Sequence, residues 1–269
     1  MLAVNQAMPE PLEGSLYDYP QYYDLLFGWD CQAELRLLRA CFERFAGRRV
    51  RRVFEPACGS GRLLIRLARA GYDVSGNDLN PLEIAYCNAR FERNGLPPAA
   101  IVGDMADFRL RRRVDAAFCL INSFRYLPTE RAARSHLECI AAALAPGGLY
   151  ILGLHLTPTV GPRDMGERWS AARGHLAVTS DLRSIRLDRR RRIEELAWTI
   201  DIYTPTRHRR IEDTMRHRTY TARQLRRLLA GVPELELVET FDFTYDVDRP
   251  ITIDATTEDV VLVLIKSKP

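Results

Sequence analysis

Val53-Phe-Glu-Pro-Ala-Cys-Gly-Ser-Gly-Arg62 is an apolar run that meets an acidic residue and then turns through Gly-x-Gly into the amphipathic Leu63-Leu-Ile-Arg-Leu-Ala68. Glycine lets a backbone turn tightly and approach a ligand more closely than any side chain would allow. The acidic Glu55 leading into that turn suits a positively charged ligand. The pattern reads as strand 51–56 followed by a helix over 61–70 that stops at Gly71, a natural C-terminal stop.

Outward from this unit, strands and helices alternate. A strand over 73–77 leads to a helix near Pro81, with Asn80 as N-cap and proline in the first turn. Strands at 100–103 and 115–121 precede a helix over 129–144, and Pro146-Gly147-Gly148 turns into a strand over 149–155. Such repeats imply a parallel sheet with helices on both faces. Ahead of it, 16–45 reads as largely helical, with Tyr19, Tyr22, Tyr23 and Leu26 on one face. Beyond it, 176–187, 193–203 and 209–219 alternate with period two and read as antiparallel strands. A helix capped by Thr221 and strands over 235–243 and 259–266 complete the chain. The fold class is therefore α/β: a Rossmann-like, doubly wound, mainly parallel seven-stranded sheet plus a small antiparallel β insertion. Three parts are expected: a tail and helical lid over 1–48, a cofactor-binding domain over 49–157 and 220–269, and an insertion over 158–219 that covers an acceptor pocket.

The 269 residues suffice for a large core, and 46% hydrophobic with 28% charged residues is ordinary for a globular chain. No apolar run approaches the roughly 20 residues of a bilayer span, and the first residues lack a secretory pattern. A cytoplasmic protein, monomer or homodimer, is the expectation. Six cysteines without a Cys-x-x-Cys pair or a histidine cluster give no zinc pattern, so no metal is expected. Net charge is +4, carried almost wholly by arginine in clusters at 48–52, 109–113, 189–192 and 207–210. Acidic residues interleave these clusters and no aromatic-rich nucleic-acid motif accompanies them, which argues against a nucleic-acid partner.

Asp78, at the end of the second strand, lies where a carboxylate accepts from ribose hydroxyls. A dinucleotide and another adenosine cofactor fit that feature equally. Leu64 occupies the place of the third glycine of a dinucleotide loop, which exists for close helix–strand packing. Glu55 would repel a pyrophosphate and attract an ammonium or a sulfonium. A cationic cofactor follows.

Together, Glu55-x-x-Cys-Gly-Ser-Gly61, Asn77-Asp78, Gly103-Asp104-Met105 and Leu144-Ala-Pro-Gly-Gly148 resemble the ordered motifs of class I S-adenosylmethionine-dependent methyltransferases, over roughly 50–156. The resemblance implies S-adenosyl-L-methionine as methyl donor, S-adenosyl-L-homocysteine as product and a small-molecule methyl acceptor. It implies that Glu55, Pro56, Ala57, Gly59 and Gly61 meet the methionine part. Asp78 would then hold the ribose, Leu79 and Met105 flank the adenine, and Asp104 take its amino group. Leu120 and Asn122 would face the sulfonium, and Tyr22 would close over the cofactor. His155, at the end of the fifth strand, is the candidate general base where the acceptor must lose a proton. Trp169 and Trp198 are candidates to wall an acceptor pocket, and Arg125 and Arg168 to bind an acceptor carboxylate. The segment Leu120-Ile-Asn-Ser-Phe-Arg125 lacks the motif of enzymes that methylate exocyclic base amines. Other readings of the chain are a dinucleotide-dependent oxidoreductase, an RNA methyltransferase and a non-catalytic cofactor-binding scaffold.

Overall fold

The computed structural model describes residues 8–28, 30–163 and 165–267. Residues 1–7, part of the stretch read as a loose tail, lie outside them. The tail's Glu10–Pro11 pairs in parallel with a strand of the insertion, so it is tethered.

In chain order the elements are β1 (Glu10–Pro11), α1 (Pro20–Phe27), α2 (Gln32–Arg44), β2 (Arg52–Pro56), α3 (Leu64–Arg69), β3 (Asp73–Asp78) and α4 (Pro81–Arg93). Next come β4 (Ala100–Val102), β5 (Val114–Cys119), α5 (Glu130–Ala143) and β6 (Leu144–His155). The insertion supplies β7 (Gly166–Arg173), β8 (Leu176–Asp188), β9 (Ile193–Tyr203) and β10 (His208–Arg218), and α6 (Ala222–Leu229), β11 (Leu235–Phe241) and β12 (Asp259–Lys266) follow. Seven strands form the main sheet in the order β11-β12-β6-β5-β2-β3-β4. β12 is antiparallel to β6 and β11; every other pairing in that sheet is parallel.

Side chains alternate across a strand, and this sheet is buried on both faces. Tyr150, Leu152 and Leu154 of β6, with Val260, Leu262 and Leu264 of β12, join the core under α5 and α6. Leu149, Ile151, Val261 and Val263 point the other way, into the core shared with α2, α3 and α4. A third core forms between the lid and the five-stranded sheet β1-β10-β9-β8-β7, where Leu16, Leu25 and Leu26 meet Trp198, Ile200 and Met215.

Three expectations change. The helix expected over 16–45 is a 3₁₀ turn at Leu16–Asp18, then α1, then α2. Pro20 opens α1, because its missing N–H suits a first turn and not a helix interior. The insertion gains a fourth strand, β7, whose mixed sequence carries no clean alternation. Pro146-Gly147-Gly148 lies inside β6 and not before it. The ladder to β5 shifts register there, which absorbs the kink.

His136 of α5 is wholly buried, donating from Nδ1 to the Met105 carbonyl at 2.8 Å and accepting at Nε2 from the Tyr150 hydroxyl at 2.6 Å. Burial lowers this imidazole from 6.5 to about 4, so it stays neutral in the folded chain at pH values where the unfolded chain protonates. Its stabilising share is therefore complete above pH 6.5 and is lost as pH falls through about 4. Urea titrations are expected to show stability declining over this window by about 3 kcal/mol through His136. His217, lowered to about 3, adds in the same direction. H136Q should flatten the acid slope in part; an unchanged slope would remove His136 as its source.

Candidate active site

The polar residues gather beyond the carboxyl ends of β2, β3, β5 and β6, where open α/β sheets hold ligands. The turn after β2 has left-handed backbone at Ala57 (φ 51°), Gly59 (φ 50°) and Gly61 (φ 68°). At Gly61 glycine is obligatory, because an added Cβ would lie 2.4 Å from the Cys87 sulfur on α4. Gly59 is open, with only the Glu83 carboxylate near the position of a Cβ.

The close helix–strand approach that a third loop glycine would provide is supplied from the partner strand. Leu64 is fully buried, and a Cβ on Gly76 of β3 would sit 2.8 Å from its Cδ1 and 2.9 Å from Cys58. Leucine on the helix and glycine on the strand exchange the roles they have in a dinucleotide loop.

Asp78 ties the turn to β3. One carboxylate oxygen accepts from the Gly59 amide at 2.9 Å and the other from the Asn80 amide at 2.9 Å. Burial still raises its pKa against these bonds. Asn80 caps α4 by accepting from Leu82 N–H at 2.8 Å, and its amide group donates to the Tyr17 carbonyl at 3.0 Å. The end of β3 thereby holds the lid. Asp104, exposed after β4, accepts from the Ala106 amide at 2.7 Å.

Glu55 is 7% exposed, and its Oε2 has no hydrogen-bond partner among the described residues. Burial pushes its carboxyl well above the ordinary range, with Arg62 opposing the shift. That guanidinium is already bonded to Glu34 at 2.7 Å. Glu83, on the first turn of α4, is 1% exposed and both its carboxylate oxygens lack partners among the described residues. An open glycine turn fronted by orphaned, buried carboxylates fits a cationic group laid against it and opposes a phosphate.

At the same carboxyl edge of the sheet a cavity of about 220 Å³ opens between the ends of β5 and β6, the lid and the inner face of the insertion sheet. Asn122 and His155 both line it. The Asn122 side chain accepts from the His155 amide at 2.6 Å, joining the two strand ends. His155 Nδ1 lies 2.5 Å from Asp259 Oδ1. A carboxylate there only accepts, so Nδ1 carries the proton and Nε2 keeps its lone pair. Trp169 and Trp198 also form part of the wall.

Other expectations shift. Leu120 turns into the core with Phe118 and Ile151, and Ile121 takes its place in the wall. The cause is the consecutive left-handed pair Ile121 (φ 56°) and Asn122 (φ 65°), a sparsely populated backbone that rotates the chain after β5. Met105 is buried under α5, and Leu79 is 66% exposed. Among the lid tyrosines, Tyr17 and Tyr23 line the cavity, whereas Tyr22 stacks on Tyr19. Arg125 is buried and spent on Glu194 at 2.6 Å, and Arg168 is exposed on β7. His217, unmarked in the basic run Arg216-His-Arg218, proves to be a buried member of the cavity wall. Its ring meets Tyr126 edge-on with centroids 4.5 Å apart, and neither ring nitrogen has a partner among the described residues.

A family model described as a methyltransferase domain matches residues 53–148. Those residues form a methyltransferase domain. The chain is 34% identical over 145 residues to a glycine/sarcosine N-methyltransferase of Parasynechococcus marenigrum, covering 50% of this chain and 48% of that one. It is 28% identical over 159 residues to a dTDP-3-amino-3,4,6-trideoxy-alpha-D-glucopyranose N,N-dimethyltransferase of Streptomyces venezuelae, covering 58% and 63%. The chain thus spans less than two thirds of the length of these relatives. A solved S-adenosylmethionine-dependent methyltransferase from Clostridium acetobutylicum shares the fold, with TM-score 0.72 at 16% identity over 94% of this chain and 100% of that one. The Rossmann-like class I architecture extends beyond the matched domain to the lid, the insertion and the last two strands. No helix among the described residues is long and apolar enough to cross a membrane.

The Leu64–Gly76 contact sets how closely α3 approaches β3, and with it the shape of the methyltransferase domain's glycine turn. Overpacking a filled core costs about 1–3 kcal/mol. G76A is expected to lose stability in that range in urea denaturation, and G76A/L64A to recover part of it. Simple additivity of the two losses would disprove the coupling.

Proposed function

We propose that this chain transfers a methyl group from S-adenosyl-L-methionine to an amine nitrogen of a small molecule held in the cavity beside the glycine turn. The observation that carries the reading is His155. Its Nδ1–H is committed to Asp259, which leaves Nε2 as a proton acceptor on a residue lining a cavity, at the same carboxyl edge of the sheet as the carboxylate-fronted glycine turn.

The donor supplies a methyl group on a sulfonium, a good leaving group that is displaced in line. Glu55 and the backbone of 57–61, shaped by Pro56, would hold its methionine part. Asp78 would take the ribose hydroxyls, the exposed Leu79 would flank the adenine, and Asp104 would accept from the adenine amino group. Tyr17 and Tyr23 of the lid, where the sequence pointed to Tyr22, would exclude water.

Nitrogen is favoured by the charge of the wall. Glu194 holds both Arg125 and Arg163, so neither guanidinium is open to an acceptor carboxylate, and Glu167 and Asp259 add negative charge to the wall, which suits an ammonium. An ammonium has no lone pair, so it must lose a proton before attack. His155 Nε2 accepts that proton, and Asp259 stabilises the imidazolium that results. The nitrogen then forms its bond to the methyl carbon as the carbon–sulfur bond breaks, and sulfur keeps the electron pair. Both relatives named above are N-methyltransferases by name, which supports the same choice.

Incubation with S-adenosylmethionine and a panel of glycine, sarcosine and amino sugars is expected to release S-adenosylhomocysteine with at least one amine. H155Q should lower kcat by about 10²-fold while leaving S-adenosylhomocysteine affinity unchanged. Absence of any thermal shift with donor or product would remove the functional reading. Full kcat in H155Q would remove His155 from it.

A further inference from the structure

Glu83, like Glu55, is a side chain at the glycine turn whose chemistry neither packing nor capping accounts for. It lies on the first turn of α4, yet the cap of that helix is made by Asn80. It is 1% exposed with two unpartnered oxygens, and its Oε2 is 3.8 Å from where a Cβ on Gly59 would stand. A buried carboxylate without a partner is costly, and a glutamine or methionine would fill the same volume without that cost.

The neighbouring charges leave it uncompensated. Asp78 at the end of β3 and Asp24 on α1 face it as like charges, and Cys87 lies one turn along its own helix. Arg90 is the opposing cation, but it donates to Asp24 at 2.7 Å and to the Ser60 carbonyl at 3.0 Å. Arg62 is held by Glu34. Glu55, Asp78 and Glu83 thus front the turn with no free cation among the described residues. Burial raises the Glu83 carboxyl from 4.5 to about 8, so on its own it is largely a neutral acid near pH 7, and a cation laid against it favours the ionised form.

We propose that Glu83 is a charge selector in the donor site, there to bind the cationic methyl donor in preference to the spent product. The inference rests on the functional reading above. Donor and product differ by one methyl group and one positive charge at sulfur, so packing alone separates them weakly. A carboxylate in a pocket of low dielectric interacts with a unit charge several ångströms away by enough to change affinity about tenfold or more. Once the methyl group leaves, that attraction is gone and the product is released more easily. Glu83 does not itself react; it acts through the field it places on the site.

Equilibrium binding of S-adenosylmethionine, S-adenosylhomocysteine and sinefungin, which carries an amine near the position of the sulfonium, tests this on the whole chain at pH 8.5, above the Glu83 value of about 8. E83Q keeps shape and removes charge. It is expected to weaken S-adenosylmethionine and sinefungin by about tenfold and to leave S-adenosylhomocysteine within about twofold. E83M, also neutral and unbranched, should give the same change of ratio, so the outcome does not hang on one variant folding. Equal weakening of all three ligands, or no change in ratio in either variant, overturns the proposal. Wild-type protein that binds none of the three removes the functional reading instead, a result distinct from an unchanged ratio.

Discussion

The Asp78 carboxylate holds together the parts on which the site depends. One oxygen accepts from Gly59 in the turn after β2, and the other from Asn80 at the start of α4. Asn80 in turn donates to the lid backbone at Tyr17. Removing that carboxylate would take the acceptor from two half-buried amides at the junction of strand, helix and lid. The turn that fits a cationic ligand and the lid that closes over it are therefore positioned by one side chain. The same side chain is proposed to receive the ribose. A residue with both duties leaves little freedom at that position.

Around it the chain keeps buried carboxylates that stability alone would not favour. Glu55 and Glu83 have oxygens without partners among the described residues, and their carboxyl groups are pushed upward by burial. The nearest guanidiniums are not free to neutralise them, because Glu34 holds Arg62 and Asp24 holds Arg90. This is a division of labour among charges. Ion pairs between α2 and the glycine turn, and between α1 and α4, fix the frame, while the carboxyl groups of Glu55 and Glu83 stay open to the proposed donor. Packing elsewhere compensates: both faces of the sheet carry continuous apolar cores, with Val53, Ala116 and Phe118 at or near zero exposure.

The sheet was legible in the sequence because its signals are local. Asn80-Pro81 and Thr221 announce helix starts, and Gly59-x-Gly61 marks a turn that sterics impose. His155 and Asn122 could be placed at strand ends for the same reason. Residues that depend on contacts distant in sequence could not be read. Leu120 and Ile121 differ by one step along the chain, and only the left-handed pair at 121–122 decides which of them faces the cavity. Glu83 looks like an ordinary first-turn glutamate until Gly59 and Asp78 are folded against it. His217 looks like one more basic residue in a strand until Tyr126, from a distant turn, closes over its ring. Gly76 carried no signal at all, since the meaning of a strand glycine lies in Leu64 across the interface.

The insertion sheet explains why the cavity can be polar without being wet. Trp198, Leu196 and Met215 on its inner face pack against the lid. Behind them Glu194 gathers Arg125, Arg163 and Ser184 into one buried network. Those charges satisfy one another, so they define the wall without demanding solvent. His217 stands beside them with no hydrogen-bond partner for its ring nitrogens among the described residues and, lowered to about 3 by burial and by Arg125, stays neutral at physiological pH. A neutral imidazole can donate or accept, yet it is too weakly basic to hold a proton taken from an ammonium. In the proposed reaction the acid–base work therefore falls to His155, whose Nδ1–H is held by Asp259. Two histidines line one cavity, and their surroundings suit them to different tasks in that reaction: one to move a proton, the other to offer a hydrogen bond.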